Sequence, residues 1–265
     1  MADLLLHSLA EFTPFILSLL DAAEARNTVE IGVEYGLISP TLIERARREG
    51  GVHTGIDPAP QPGADALFEG GHARLAAAPS LEALPGLPPS DAYLVDGDHN
   101  YYTVLSELRL IRDAAAAAGR GFPLVILHDI GWPCARRDLY YAPQRIPPEF
   151  RMPHSFSLGM RPGKPLAGKG GFRGEGVFAC ALNEGGPRNG VLTALEDFLE
   201  ETPGLHLSCI AAVFGLGVLA TEEMAERLEP LISPLRDNPL LAKMERNRLD
   251  LYIRVLDWQD GILAR

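Results

Sequence analysis

The sequence predicts an α/β fold: a Rossmann-like, doubly wound, mostly parallel seven-stranded sheet with a C-terminal antiparallel hairpin, plus helices at both ends. Three observations predict it. Short apolar runs at 28–31, 52–56, 92–95 and 124–127 have the length and branched character of buried strands. Helical stretches separate most of these runs, which is the alternation of parallel βαβ units. Three of the runs end in acid-bearing turns, at Asp57, Asp96 and His128-Asp129. In open α/β sheets, ligands sit at the carboxyl ends of strands.

Each element follows from local chemistry. Residues 3–26 read as one or two helices with a break near Pro14. After strand 28–31, Gly32 and Gly36 form a turn; Ser39 then serves as N-cap, Pro40 as the first helical residue, and Gly50 as the stop. Strand 52–56 is followed by loops rich in Pro, Gly and Ala over 58–90, with a helix near 63–69 and a short strand at 73–76. Strand 92–95 leads into Asp96-Gly97-Asp98-His99, and a helix over 102–118 is closed by Gly119. Seven prolines between Pro133 and Pro165 predict that residues 131–176 lack regular structure, as in a lid or binding loop, and the later glycines predict mobility there. A strand (177–182), a helix (189–201) and a hairpin (205–212 and 216–219, turning near Gly215) follow. Residues 222–262 read as helical, interrupted near Pro230, Pro234 and Pro239. The predicted division is an N-terminal helical segment (1–27), a main domain (28–220, with 131–176 as its lid or substrate loop) and a C-terminal helical appendage (221–265).

Composition narrows the partners. With 265 residues, 46% apolar and 22% charged, the chain has the makeup of a folded protein rather than a disordered one. Its net charge of −11 argues against nucleic acid and against an anionic membrane surface as partners. No apolar run reaches the ~20 residues of a membrane span. The N-terminus is apolar but carries Asp3, His7 and Glu11 and has no basic start, so it does not read as a signal peptide. Cys134, Cys180 and Cys209 form no paired motif and predict reduced thiols in a cytoplasmic protein.

The chemistry concentrates at the turns. Glu30-Ile31-Gly32-Val33-Glu34-Tyr35-Gly36 has the form E-x-G-x-x-x-G, in which glycine allows the backbone to approach a ligand. Asp57 stands where an acid can hold ribose hydroxyls. Glu34 occupies the place of a dinucleotide fingerprint's second glycine; it would repel a diphosphate but tolerate a cationic sulfonium or its ammonium group. The bland readings are an empty turn in which Asp57 caps Pro58, and a solvated Glu34. The stretch Gly163 to Lys169 nearly spells a phosphate loop, yet Gly170 replaces the hydroxyl residue and no apolar strand precedes it.

The residues from Glu30 to Gly36, Asp57 and the Asp96-Gly97-Asp98-His99 turn together resemble class I S-adenosylmethionine-dependent methyltransferases over about residues 28–130. The nearest resemblance is to small-molecule O-methyltransferases with a D-G-D-H or D-G-S-H turn, which include metal-dependent macrolide-sugar and catechol-type enzymes. The resemblance implies a cofactor site of Glu30, Gly32, Glu34, Gly36, Asp57 and Asp98, with Glu30 and Gly32 at the methionine part, Asp57 at the ribose and Asp98 near the amino group. It implies a catalytic group of His99, Asp96 and His128, with His99 as general base, and a divalent metal on Asp96, His128 and Asp129. Because His128 stands where relatives carry an acid, magnesium fits less well than manganese, iron or zinc, and a metal-free site stays open. His99 reads equally as a helix-capping residue, and His128 as a buried, hydrogen-bonded core residue.

A hydroxyl acceptor needs a base or a metal to help remove its proton. The expected reaction is therefore methyl transfer to a small molecule, most naturally at oxygen. Trp132, Arg136, Arg137, Tyr140 and Tyr141 follow the proposed site and read either as substrate pocket or as packing of an irregular loop. The alternatives are a mononuclear iron oxygenase using His99, His128 and an acid, and a non-catalytic protein that binds S-adenosylmethionine. Leu241, Met244, Leu251, Tyr252, Val255 and Leu256 recur at near-helical spacing, as a core stripe or a partner surface. With the apolar N-terminus they make a homodimer an expectation.

Overall fold

The computed structural model describes residues 5–262, so the outer ends of the two predicted helical segments, 1–4 and 263–265, lie outside the described residues. Along the chain, a 3-10 turn (Leu9–Phe12) leads into α1 (Thr13–Ala22), β1 (Thr28–Ile31), α2 (Ser39–Glu49), β2 (His53–Ile56), a second 3-10 turn (Asp65–Phe68), β3 (Ala73–Ala76), the single-turn α3 (Ser80–Ala83), β4 (Ala92–Val95), α4 (Tyr101–Ala117) and β5 (Leu124–His128). Short strands follow: β6 (Leu139–Tyr140), β7 (His154–Ser155), β8 (Gly159–Arg161), β9 (Lys164–Ala167) and β10 (Ala179–Ala181). The chain ends with α5 (Val191–Glu201), β11 (Leu205–Ile210), β12 (Leu216–Thr221), α6 (Glu222–Ile232) and α7 (Pro239–Gln259).

Seven strands form one sheet in the order β11-β12-β5-β4-β1-β2-β3. β1 to β5 pair in parallel, while β12 runs antiparallel to β5 and to β11. Strand residues alternate between two cores, as the pleat requires. Val29, Ile31, Tyr93, Val95, Val125 and Leu127 face α4 and α5 through Leu108, Ile111, Leu195 and Phe198. Ala92, Leu94, Leu124 and Ile126 face α1 and α6 through Ile16, Leu19, Leu20 and Leu228. Burial on both sides explains why these strands are continuous apolar runs. β1 has β2 on one side and β4 on the other, so the order reverses there, and in open α/β sheets such a reversal is where the crevice for a ligand forms, at the strands' carboxyl ends.

Several predicted details differ. Residues 5–8 are not helical, and Pro14 lies in the first turn of α1, where its missing N–H costs nothing. Ser39 is inside α2, Ile38 is the cap, and the Ser39 hydroxyl donates instead to Glu30. The predicted strand at 177–182 is only Ala179–Ala181 and does not join the main sheet; it pairs with β6 and β7 in a separate three-stranded sheet. Residues 131–176 are not structureless. They hold β6, β7 and the β8–β9 hairpin, with Pro165 in a two-stranded sheet whose outer edges need no N–H. Pro230 sits inside α6 rather than interrupting it, and Pro239 opens α7. No helix among the described residues is long and apolar enough to cross a membrane.

Candidate functional site

The crevice at the β1/β4 reversal is lined by turns that interlock through the backbone. Gly32 has φ 91°, and a Cβ there would lie 2.2 Å from the Asp96 carbonyl oxygen, so no other residue fits without moving the end of β4. One Asp57 carboxylate oxygen accepts from the amides of Val33 (3.0 Å) and Glu34 (2.8 Å), and the other accepts from Ala59 N (2.8 Å). Asp57 therefore ties the end of β2 to the glycine turn rather than capping Pro58 alone. Glu34 is exposed with φ 47°, and its carboxyl is raised above the ordinary value first by partial burial and then by Asp96. Glu30 is buried behind the turn, accepting from Ser39 Oγ (2.7 Å) and facing His53 Nε2 (3.0 Å). Gly36 closes the turn before α2.

On the other side of the crevice, β4 and β5 present four titratable side chains together. His99 Nε2 lies 2.8 Å from Asp129 Oδ2 and 3.3 Å from Asp96 Oδ1. His128 Nδ1 lies 3.2 Å from Asp96 Oδ1 and 3.6 Å from Asp129 Oδ2. Burial opposes charge on these imidazoles, but the two carboxylates outweigh it: His99 is raised well above the ordinary value and His128 to about 9. Burial would raise Asp96, yet His128 and His99 hold it down to about 2. Asp129 has φ 58°, a left-handed conformation rare outside glycine, which turns its carboxylate back toward both histidines. Asp98 is raised by burial, with the Thr103 hydroxyl donating to it at 3.4 Å. The capping role open to His99 belongs to Asn100, whose Oδ1 accepts from Thr103 N at 2.9 Å.

His128 is locked from behind. A carbonyl oxygen only accepts, so the 2.8 Å contact between His128 Nε2 and Val213 O puts a proton on Nε2. Nδ1 then faces two carboxylates that also only accept. Either the ring is an imidazolium or a cation lies between them. Ligand atoms of Asp96, His128 and Asp129 all fall within 4.8 Å of one another, and one imidazole with two carboxylates suits manganese or iron better than magnesium. The donor set fits a divalent metal. Phe12 lies edge-on to His128 at 6.0 Å.

The five predicted pocket residues separate. Tyr141 lies beside the cluster, its ring 6.2 Å from His99, and is about half exposed (49%). Trp132 packs on Phe172 and Phe214. The other three are not brought to the cluster. Arg136 pairs with Glu196 of α5, and Arg137 donates to Ala181 O and pairs with Glu184. Tyr140 is buried and donates to Asp138 at 2.7 Å. Cys134 is buried, and burial raises its thiol far above the ordinary range, so it is an inert neighbour. Phe12 and the Val213 carbonyl are additions that sequence reasoning missed. Neither carries a motif, since one is an aromatic in an apolar segment and the other a main-chain oxygen.

Residues 29–130 match the family model of a methyltransferase domain. The span holds the glycine turn, Asp57 and all four residues of the His–Asp cluster. Among solved structures, the chain is similar to an SAH-bound methyltransferase from Podospora anserina (14% identity, TM-score 0.47, covering 79% of this chain and 78% of that one). It is similar to an SAH-complexed O-methyltransferase from Bacillus cereus (12% identity, TM-score 0.48, 81% and 82%). It is also similar to an O-methyltransferase from Streptomyces achromogenes involved in tomaymycin synthesis, in complex with SAM (16% identity, TM-score 0.47, 81% and 80%). A search of curated proteins finds no match to this chain.

Proposed function

With a methyltransferase domain over residues 29–130 as the premise, we propose that this protein transfers the methyl group of S-adenosylmethionine to a hydroxyl of a small molecule. The observation that carries the reading is the juxtaposition of the Asp57-braced glycine turn with the His–Asp cluster in one crevice. The cofactor would lie over Gly32, with Glu30, Glu34 and Gly36 shaping the turn, the ribose near Asp57 and the ammonium near Asp98. Asp57 and Asp98 supply the negative charge a cationic sulfonium ligand favours.

The reaction is an in-line displacement. The methyl–sulfur bond breaks as the methyl–oxygen bond forms, and the acceptor proton leaves to a base. Holding the two reactants in line supplies much of the acceleration. His99 is proposed as the base in its neutral form, which a cation held by Asp96 and Asp129 would favour by offsetting the negative charge that otherwise keeps the imidazole protonated, with Tyr141 at the acceptor's side. A divalent metal held by Asp96, His128 and Asp129 would supply Lewis acidity toward the acceptor oxygen. An iron oxygenase is the weaker reading, because the methyltransferase match covers all of these residues.

In the same proposal, residues 28–220 are the methyltransferase domain with 131–176 as its substrate loop, and the segments 1–27 and 221–265 flank it. Three free cysteines support a reducing, cytoplasmic setting. Leu240, Met244, Leu251 and Trp258, each more than half exposed on one face of α7, support a homodimer. The decisive experiment is calorimetric titration with S-adenosylmethionine. The parent binds, and Asp57→Ala weakens binding. A parent that shows no binding would overturn the proposal, and an undiminished Asp57→Ala would remove the ribose assignment.

A further inference from the structure

α7 reaches the reaction centre through the turn between β11 and β12. Val213 and Phe214 have φ 41° and 64°, two successive left-handed residues, the first β-branched. Such torsions are sterically costly for a branched side chain and persist only where surrounding contacts impose them. The contacts come from Glu245 of α7. One carboxylate oxygen accepts from Val213 N at 2.9 Å and the other from Phe214 N at 3.0 Å. Arg248, one turn on, donates to both oxygens of Glu245 at 2.7 Å and lies over the Phe214 ring at 4.4 Å. Behind the turn, Phe214 O accepts from Gly131 N at 2.6 Å. Glu245 is thus fully engaged: two backbone amides and a bidentate guanidinium.

The same turn supplies the carbonyl that holds His128. The peptide joining Val213 to Phe214 presents its N–H (Phe214) to Glu245 and its C=O (Val213) to His128 Nε2, so the carboxylate, the peptide and the imidazole form one hydrogen-bonded series. We infer that Glu245 is a positioning residue for His128: it fixes the left-handed turn, and the turn fixes the ring so that Nδ1 rather than Nε2 faces Asp96 and Asp129. This rests on the reading of the His–Asp cluster as the reaction centre, but the geometry can be tested without turnover. Nothing in the sequence joins the two residues, which are 117 positions apart by subtraction of their numbers.

The test is hydrogen exchange at the His128 Nε2–H, read by NMR in protein labelled with nitrogen-15 histidine and assigned by its loss in His128→Asn. In the parent this proton is protected by Val213 O. In Glu245→Ala it exchanges about tenfold faster, the factor expected for losing one typical hydrogen bond's net contribution, while β5 amides stay protected. Glu245→Gln keeps one acceptor oxygen and gives an intermediate rate, a partial rescue that a general loss of packing would not produce. Should Glu245→Ala fail to fold, the glutamine variant decides alone. An unchanged His128 rate in a folded variant, with the Val213 and Phe214 amides now exchanging freely, would overturn the inference. Both readouts use the protein without cofactor, so failure to bind S-adenosylmethionine would sink the proposed function and leave this result standing.

Discussion

Glu107 gives the most quantitative prediction. It lies on α4 with no exposed surface, and the Ser80 hydroxyl donates to its Oε1. Its Oε2 is buried without a hydrogen-bond partner among the described residues. Burial pushes the carboxyl from the ordinary 4.5 up to about 8, and the nearby Asp98 adds to the rise. The folded protein therefore binds this proton more tightly than the unfolded chain does. The group's cost is absent below about pH 4.5, grows by about 1.4 kcal/mol per pH unit, and levels off above about pH 8. Between pH 6 and pH 8 folding loses about 2 kcal/mol on this account. Glu107→Gln keeps the Ser80 bond and cannot ionise. Urea unfolding of parent and variant at pH 6 and pH 8, followed by circular dichroism, isolates the difference because all other titrations are shared. The parent's stability should fall by about 2 kcal/mol more than the variant's over this interval. Equal losses, to within about 0.5 kcal/mol, would refute the reasoning even if the variant were less stable throughout.

The site makes further predictions. His99→Ala should lower kcat by about 10²–10⁴-fold, the range for a lost general base, while calorimetry finds cofactor affinity near the parent's; a normal kcat removes His99 from the chemistry. Chelation should depress turnover, and manganese should restore it better than magnesium, because one ligand is a nitrogen; indifference to chelator would leave the reaction metal-free. Asp257 accepts from Arg161 Nη2 at 2.6 Å and Gly171 N at 2.8 Å, so Asp257→Ala should cost about 1–3 kcal/mol in unfolding experiments. It should also speed Gly171 amide exchange ahead of the main sheet, and uniform exchange would show that the hairpin is not separately held.

The central strands were legible because both faces of each are buried, leaving apolar runs bounded by turn residues. Asp57, Asp96 and Asp129 were legible as crevice residues because strand ends are readable and the fold class says where ligands go. Other features depend on contacts the sequence does not announce. Strands of two to four residues in 131–176 are too short to show a period, and prolines masked them. Arg136 and Arg137 beside aromatics looked like a binding surface, but their partners Glu196 and Glu184 lie about fifty positions on, where no local pattern points back. Ser39 had the composition of a cap, yet buried Glu30 offered its hydroxyl a charged acceptor and drew it into the helix.

The two small sheets between Leu139 and Ala181 share no ladder with the seven-stranded one. They are anchored by apolar packing, with Leu139, Met160 and Cys180 in the buried cluster of Val95, Val125 and Leu127, and by polar tethers: the Asp138 carboxylate accepting from Tyr101 N and Gly190 N, and the pairs of Arg161 with Asp257 in α7 and of Arg173 with Asp260 at its C-cap. The small strands are thus welded to the scaffold at their buried side chains, while the hairpin tip at Gly163 stands clear of it, since a Cβ there would meet nothing within 4 Å. A family of variants could exchange that tip wholesale while the strand registers of the seven-stranded sheet stay as they are.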